Sequence, residues 1–314
     1  LNLYPNSIKL MPTVSVLMST YNGHKYIRKQ LDSLLLQEGV DVHIIVRDDG
    51  SKDETPQILS EYADKHSNIE ILPELNCGAE ESFNKLCKFA DKHGTSEYYA
   101  FCDQDDIWDT DKLKVAIDKL DQFETSTPNL YFSNLKMVDE NLNYMRDFYV
   151  DGDVFMGKNK SLVQIFTYGC TCVFNRKALE MYCAVEKNKT FHDNWIYVIC
   201  SYIGNVVYDP VGHIQYRQHS NNLSGHRETG MGLFLSRLVR PFKGNLGHDF
   251  ESLARQLLIF SDLIKAEDLK LIKRVAYYRE SLAHRMALLF STNYCTGRIV
   301  KDVCIKYRII INRL

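Results

Sequence analysis

Tyr98-Tyr99-Ala100-Phe101-Cys102-Asp103-Gln104-Asp105-Asp106-Ile107-Trp108 passes abruptly from an unbroken apolar run to three acids within four residues. A run this apolar reads as a strand buried on both faces. Strand interiors do not tolerate charge, so the three carboxylates leave together at the carboxyl end. In an open α/β sheet, ligands bind in the crevice outside those ends. Carboxylates this close repel one another, and a divalent cation with oxygen ligands relieves the repulsion. Magnesium or manganese held by one or two carboxylates keeps most of its shell open, and phosphate oxygens complete it. The stretch therefore predicts a metal–diphosphate site. Two plainer readings compete. Capping of the helix that starts near Asp109 to Asp111 accounts for those two acids, but not for Asp103 and Asp105 on the strand side. A calcium loop counted from Asp103 would put Ile107, Trp108 and Lys114 where an oxygen ligand, glycine and glutamate are needed, and fails.

Upstream, Val14 to Met18 and Val42 to Arg47 are short β-branched runs that end in Ser19-Thr20-Tyr21-Asn22-Gly23 and Asp48-Asp49-Gly50-Ser51. Each opens a helix: Ile27, Leu31, Leu34 and Leu35 recur at helical spacing, and Ser51 or Asp53 with Pro56 starts the next. A third strand at Ile69 to Leu72 and a helix through Phe83, Leu86, Cys87 and Ala90 lead to the acidic strand. This β-α-β-α-β-α-β order predicts a Rossmann-like, mostly parallel sheet flanked by helices. Neither a Gly-x-Gly-x-x-Gly fingerprint nor a Walker lysine loop is present, so metal rather than glycine-rich backbone must hold any phosphates. Beyond the acids, the expected strands are Leu130 to Asn134, Tyr168 to Asn175, Val206 to Tyr208 and Ile214 to Arg217. Helices are expected over Arg176 to Val185 and from Phe191 through Cys200. Asp139 to Lys160 has no clear period, and Gln218 to Gly232 reads as a loop able to close over the crevice.

The 314 residues suffice for one large domain with an appendage. With 45% hydrophobic and 25% charged residues the chain has a globular composition, and a net charge of -2 gives no reason to expect nucleic acid. None of the nine cysteines forms a Cys-x-x-Cys pair, which predicts reduced, buried thiols. No apolar run approaches the roughly 18 residues of a membrane span, and no signal-peptide core is visible. The expected setting is cytoplasmic, including the inner face of the cell membrane.

Thr20-Tyr21-Asn22-Gly23, Asp48-Asp49-Gly50-Ser51 and Asp103-Gln104-Asp105-Asp106, in this order and at these spacings, resemble the inverting glycosyltransferases of family two, which have the GT-A fold. The resemblance covers roughly residues 13 to 225, giving a catalytic domain over 1–225 and a helical C-terminal extension over 226–314. Asp103-Gln104-Asp105-Asp106-Ile107-Trp108, His192-Asp193-Asn194-Trp195 and Tyr216-Arg217-Gln218-His219-Ser220-Asn221-Asn222 look like bacterial rhamnosyltransferases of surface-polysaccharide assembly. The resemblance implies that Ser19 and Tyr21 line the nucleotide base, and that Asp49, beside Asp48, accepts the imide N–H of uracil or thymine. Asp103 would meet the ribose or the metal's water shell, Asp105 would bind Mg2+ or Mn2+, and His219 would add a ligand or a diphosphate contact. Asp193 would be the base that deprotonates the acceptor hydroxyl. Read alone, Asp48-Asp49 is also an ordinary capped turn, and Asp193 an ordinary N-cap. Relatives often have Glu-Asp where this chain has His192-Asp193, followed by the Gln-x-x-Arg-Trp of processive synthases. Its absence here argues for transfer of a single sugar.

The implied partners are a dTDP- or UDP-sugar donor and a saccharide or lipid-linked acceptor. Sugar-nucleotide nucleotidyl transfer would need a glycine-rich basic loop that Ser19 to Gly23 does not provide, and a non-catalytic relative would be expected to have lost an acid. At the C-terminus, Arg298, Lys301, Lys306, Arg308 and Arg313 interleave with Ile299, Val303, Ile305, Ile309 and Ile310. Such an end suits either an anionic membrane or packing against the catalytic domain or a second subunit of a homodimer.

Overall fold

A computed structural model describes residues 11–150, 154, 157–185, 190–219 and 249–313. Most of the expected loop over Gln218 to Gly232, and the Ser220-Asn221-Asn222 part of the resemblance, lie outside them. Strands β1 (Thr13–Thr20), β2 (Asp41–Asp48), β3 (Ile69–Pro73) and β4 (Tyr98–Cys102) alternate with helices α1 (Ile27–Leu35), α2 (Thr55–Ala63) and α3 (Ala79–His93). They pair in parallel in the order β3-β2-β1-β4. Every residue of β4 is buried, because both faces of the sheet are covered. Tyr99 and Phe101 face a core with α3, whereas Ala100 and Cys102 face one with α1. Each fully buried large side chain contributes about 1.5–3 kcal/mol.

The second half makes the sheet mixed rather than parallel throughout. The strands here are β5 (Ile107–Trp108), β6 (Asn129–Val138), β7 (Tyr144–Asp147), β8 (Val173–Asn175) and β9 (Asn205–Arg217). Only β6 and β9 run parallel; β8 is antiparallel to β4 and β6, β5 to β9, and β7 to β6. The order continues β4-β8-β6-β9-β5, yet β5 begins five residues after β4 ends. Five residues reach at most about 18 Å, while four flat strand spacings take about 19 Å, so the sheet curls back on itself. Three local expectations change. Tyr168 to Asn175 is a 3-10 turn at Gly169–Thr171 before the three-residue β8, the Thr171 N–H and hydroxyl both donating to Tyr168 O. The two strands expected around Pro210 are one, carried past that proline by a bulge that shifts the register from Ser133↔Asp209 to Asn134↔Gly212. Within Asp139 to Lys160, Asp139 accepts the N–H groups of Asn141 and Asn143 and turns β6 into β7.

Helices α4 (Lys112–Leu120), α5 (Arg176–Cys183) and α6 (His192–Ile203) complete the helices around the sheet. After Asp249 come α7 (Phe250–Leu257), α8 (Ala266–Ala276), α9 (Leu282–Leu289) and α10 (Ile299–Ile310). Asp249 and Ser281 cap α7 and α9 through the N–H groups of Ser252 and His284. Leu253, Leu257, Val275, Tyr278 and Ile309 share one buried cluster with Phe101 and Trp195, so this helical extension is fused to the sheet's core. No helix among the described residues is long and apolar enough to cross a membrane.

Candidate active site

Parallel pairing aligns the ends of the first strands: Thr20 lies opposite Asp48, and Met18 opposite Cys102. Tyr21, Asp49 and Asp103 therefore leave the sheet along one edge. Side chains tie the three turns together. Gln104 Oε1 accepts the Thr20 hydroxyl (2.6 Å) and the Tyr21 N–H (2.9 Å), while its Nε2 donates to Tyr21 O. A Cβ at Gly23 would lie 2.3 Å from that Oε1, so any side chain there would push the Gln104 amide out of these bonds. The Asn22 N–H donates to Ser51 Oγ, and Asn22 Oδ1 accepts the Lys52 N–H. Asp48 accepts the N–H and hydroxyl of Ser51.

Asp49 is buried and ion-paired with buried Arg47, and accepts the Cys77 and Gly78 N–H groups at 2.9 Å each. Burial pushes its carboxyl up, but Arg47 and the two N–H groups outweigh that and hold it below the ordinary range. Oδ2 takes only the Gly78 N–H among the described residues and keeps room for one further donor. Ser19 Oγ contacts Ser82 Oγ at 2.6 Å, and Tyr21 is 45% exposed at the mouth.

Pairing of β5 with β9 sets Ile107 opposite Gln215, which brings the residues after β9 alongside the acids. His219 Nε2 lies 2.8 Å from Asp105 Oδ2, and Arg217 Nε donates to Asp105 O. Tyr26 supports both, stacked on the His219 ring at 5.0 Å with the Arg217 guanidinium 4.7 Å from its centroid. Asp103, Asp106 and Cys170 each offer one ligand atom within 4.8 Å of the others. Asp106 accepts the Arg217 N–H at Oδ1, while its buried Oδ2 has no hydrogen-bond partner among the described residues. Asp103 is pushed up to about 7 by burial, then by the charges of Asp105 and Asp193. Asp106 is driven well above the carboxylate range by burial, then by the charges of Asp105 and Asp103. Acids held this close, with their proton affinity raised, are what a divalent cation fits. Beneath it lies fully buried Lys112, its ammonium 3.4 Å from the centroid of the Trp108 ring.

Asp193 is the second residue of α6; the N-cap is Phe191, so Asp193 is not itself the cap. Its carboxylate accepts the Asn194 N–H (2.8 Å) and the Gly169 N–H. Burial pushes it up to about 6, partly offset by those donors. Neighbouring His192 is buried, stacked on Phe83 at 3.9 Å and edge-on to Phe101 at 4.5 Å. A methyl at Gly169 would sit 2.3 Å from His192 Nε2, and the two aromatic rings leave that imidazole nowhere to go. Gly169→Ala is therefore expected to displace the 3-10 turn that holds Asp193 and lower kcat by about 10- to 100-fold, as misplacements near 1 Å do. His192→Ala in the same chain should recover most of the loss, measured as kcat at saturating substrates.

Acids at the carboxyl edge of a curled α/β sheet, with a half-buried carboxylate on a helix start beside them, define a GT-A-type glycosyltransferase. The chain belongs to Glycosyl transferase family 2, whose model matches residues 15–183. It is 32% identical over 228 residues to the dTDP-rhamnosyl transferase RfbG of Shigella flexneri, spanning 66% of this chain and 73% of that protein. It is 26% identical over 242 residues to an uncharacterized glycosyltransferase of Rickettsia bellii, covering 73% of this chain but only 34% of that longer protein. Among solved structures, S. aureus TarS 1-349 in complex with UDP-GlcNAc superposes with a TM-score of 0.51 at 17% identity, over 95% of this chain and 90% of that one. The mannosyltransferase PcManGT from Pyrobaculum calidifontis, in complex with GDP-Man and Mn2+, gives 0.51 at 16% identity, over 98% and 89%. At these identities the likeness is one of fold.

Gln104, Cys170 and Gly169 are the site residues that sequence reasoning missed. Gln104 sits inside the acidic motif, and its spacing was the available signal. Cys170 and Gly169 reach the site only through the 3-10 turn.

Proposed function

We propose that the chain transfers a single sugar, rhamnose from dTDP-rhamnose, with inversion to a saccharide or lipid-linked acceptor in bacterial surface-polysaccharide assembly. The nearness of Asp193 to Asp103, close enough for its charge to add to that of Asp105 in raising the Asp103 carboxyl, carries this reading, because it supports a helix-borne base beside the strand-end acids. The similarity to an enzyme described as a dTDP-rhamnosyl transferase supports the choice of donor.

In this reading Ser19 and Tyr21 flank the base, Asp49 Oδ2 accepts the thymine imide N–H, and Asp48 keeps the second turn closed. Asp105 and Asp103 would hold Mg2+ or Mn2+ with His219 beside them, and Asp106 could join them. When bound, the cation offsets charge developing on the departing diphosphate. Asp193 takes the acceptor hydroxyl's proton as that oxygen attacks the anomeric carbon from the side opposite the leaving group. The Gly169 and Asn194 N–H groups orient its carboxylate. Neutral His192, pushed down to about 3 by burial, packs behind it without competing for the proton.

Nucleoside-diphosphate release with Mn2+ and an acceptor extract tests the proposal across dTDP-rhamnose, UDP-glucose and UDP-N-acetylglucosamine. Turnover with dTDP-rhamnose well above the UDP-sugars is expected. Preference for a UDP-sugar would refute the donor, and release of pyrophosphate would refute the reaction.

A further inference from the structure

A helix packed on a globular core needs one apolar face, but the last two helices have two. On α10, Cys304, Ile305 and Ile309 are buried, whereas Ile299, Val300, Val303 and Ile310 are 84%, 52%, 50% and 62% exposed. At about 100° per residue, Ile299, Val303, Lys306 and Ile310 share one narrow outward arc. On α9, which packs against α10, Leu282, Met286 and Phe290 recur every fourth residue with exposures of 71%, 42% and 77%. Half of the large apolar side chains exposed on the described surface lie beyond Asp249. Apolar exposure so concentrated marks a surface that meets something other than water.

Charge selects the occupant. Residues 281–314 carry six Lys and Arg against the single acid Asp302, although the whole chain has a net charge of -2; Lys306 and Arg313 are exposed, and the other four are partly covered. A twofold dimer through this face would set the same cations against themselves. An anionic surface complements them.

We propose that α9 and α10 dock the enzyme on an anionic lipid bilayer, with the outward apolar stripes at the acyl boundary and Lys306 and the neighbouring cations among the phosphate headgroups. The observation is independent of the donor assignment. Its bearing on catalysis is geometric: α7 packs on α6, and Phe260 stacks on Trp195 at 6.3 Å, so the docking helices and Asp193 stand on one core.

Flotation with phosphatidylcholine vesicles, with and without phosphatidylglycerol, tests it. The chain is expected to float with the anionic vesicles only, and less as salt rises. Val303→Asp with Ile310→Asp should lower the bound fraction about tenfold, the scale set by removing two interfacial apolar contacts. Lys306→Glu should lower it several-fold. All three positions are solvent-exposed, and an unchanged circular dichroism spectrum and Tm show that the variants are folded. Failure to float with anionic vesicles, or variants that float like the parent, would overturn the proposal. So would a dimer that Val303→Asp dissociates, or a labelling footprint in which Ile299 and Val303 are already shielded without lipid.

Discussion

Asp193→Asn is expected to lower kcat by about 100- to 10,000-fold while leaving the Kd for dTDP and Mn2+ within about twofold. Asparagine keeps the shape and one acceptor oxygen for the Gly169 and Asn194 N–H groups, so the start of α6 should hold its conformation. What disappears is a site for the acceptor's proton. The pH profile gives a second readout. Burial pushes Asp193 up to about 6, and only its ionised form is a base, so kcat of the parent should fall as pH drops below about 6 and level off above. Saturating Mn2+ is needed for this profile, because Asp103, pushed up to about 7, also titrates in the cation-free site. The Asn variant should lack the acid limb. A variant with parental kcat would remove Asp193 from the chemistry.

The second large effect concerns the cation. Asp105→Ala is expected to abolish Mn2+-dependent stabilisation of the dTDP complex and to reduce turnover at least about 100-fold. The sign of the pH dependence follows from the raised acids. In the folded, cation-free chain Asp103 retains its proton to about 7, whereas an unfolded aspartate loses it near 4. That contribution to stability is fully present below about pH 4 and is lost as pH rises through 7. A cation replaces the protons, so the Tm increase on adding Mn2+ should be larger at pH 8 than at pH 6. Asp105→Ala relieves part of the repulsion on Asp103, so the cation-free variant should be as stable as the parent, or more so, at pH 8. An undiminished Mn2+ shift in the variant would place the metal elsewhere.

The first half of the sheet was readable because β1, β2 and β4 are short, mostly apolar runs ending in polar turns, and parallel pairing converts that pattern into a shared edge. Asp48, Asp49, Asp103 and Asp105 stand out in the sequence as candidates for the same reason. The second half was harder because its elements depend on distant partners. Pro210 and Gly212 look like a break, but β9 runs past them because β6 supplies a long neighbour that tolerates the bulge. Tyr168 to Asn175 has strand composition, yet Gly169 must bend there to admit the His192 ring. The Asp105–His219 contact arises from the register of a two-residue strand, which no local pattern announces. Burial of Asp103, Asp106 and Asp193, which sets their proton affinities, is likewise a product of the curled sheet.

Anomalous diffraction from crystals grown with dTDP and Mn2+ tests the central claim most directly. The account predicts a manganese peak bridging the diphosphate to the carboxylates of Asp105 and Asp103, with Asp193 across the cleft and free of the metal. Manganese found only at Asp109, Asp111 and His213, a second grouping of candidate ligands among the described residues, with the nucleotide away from the Asp103 edge, would contradict it.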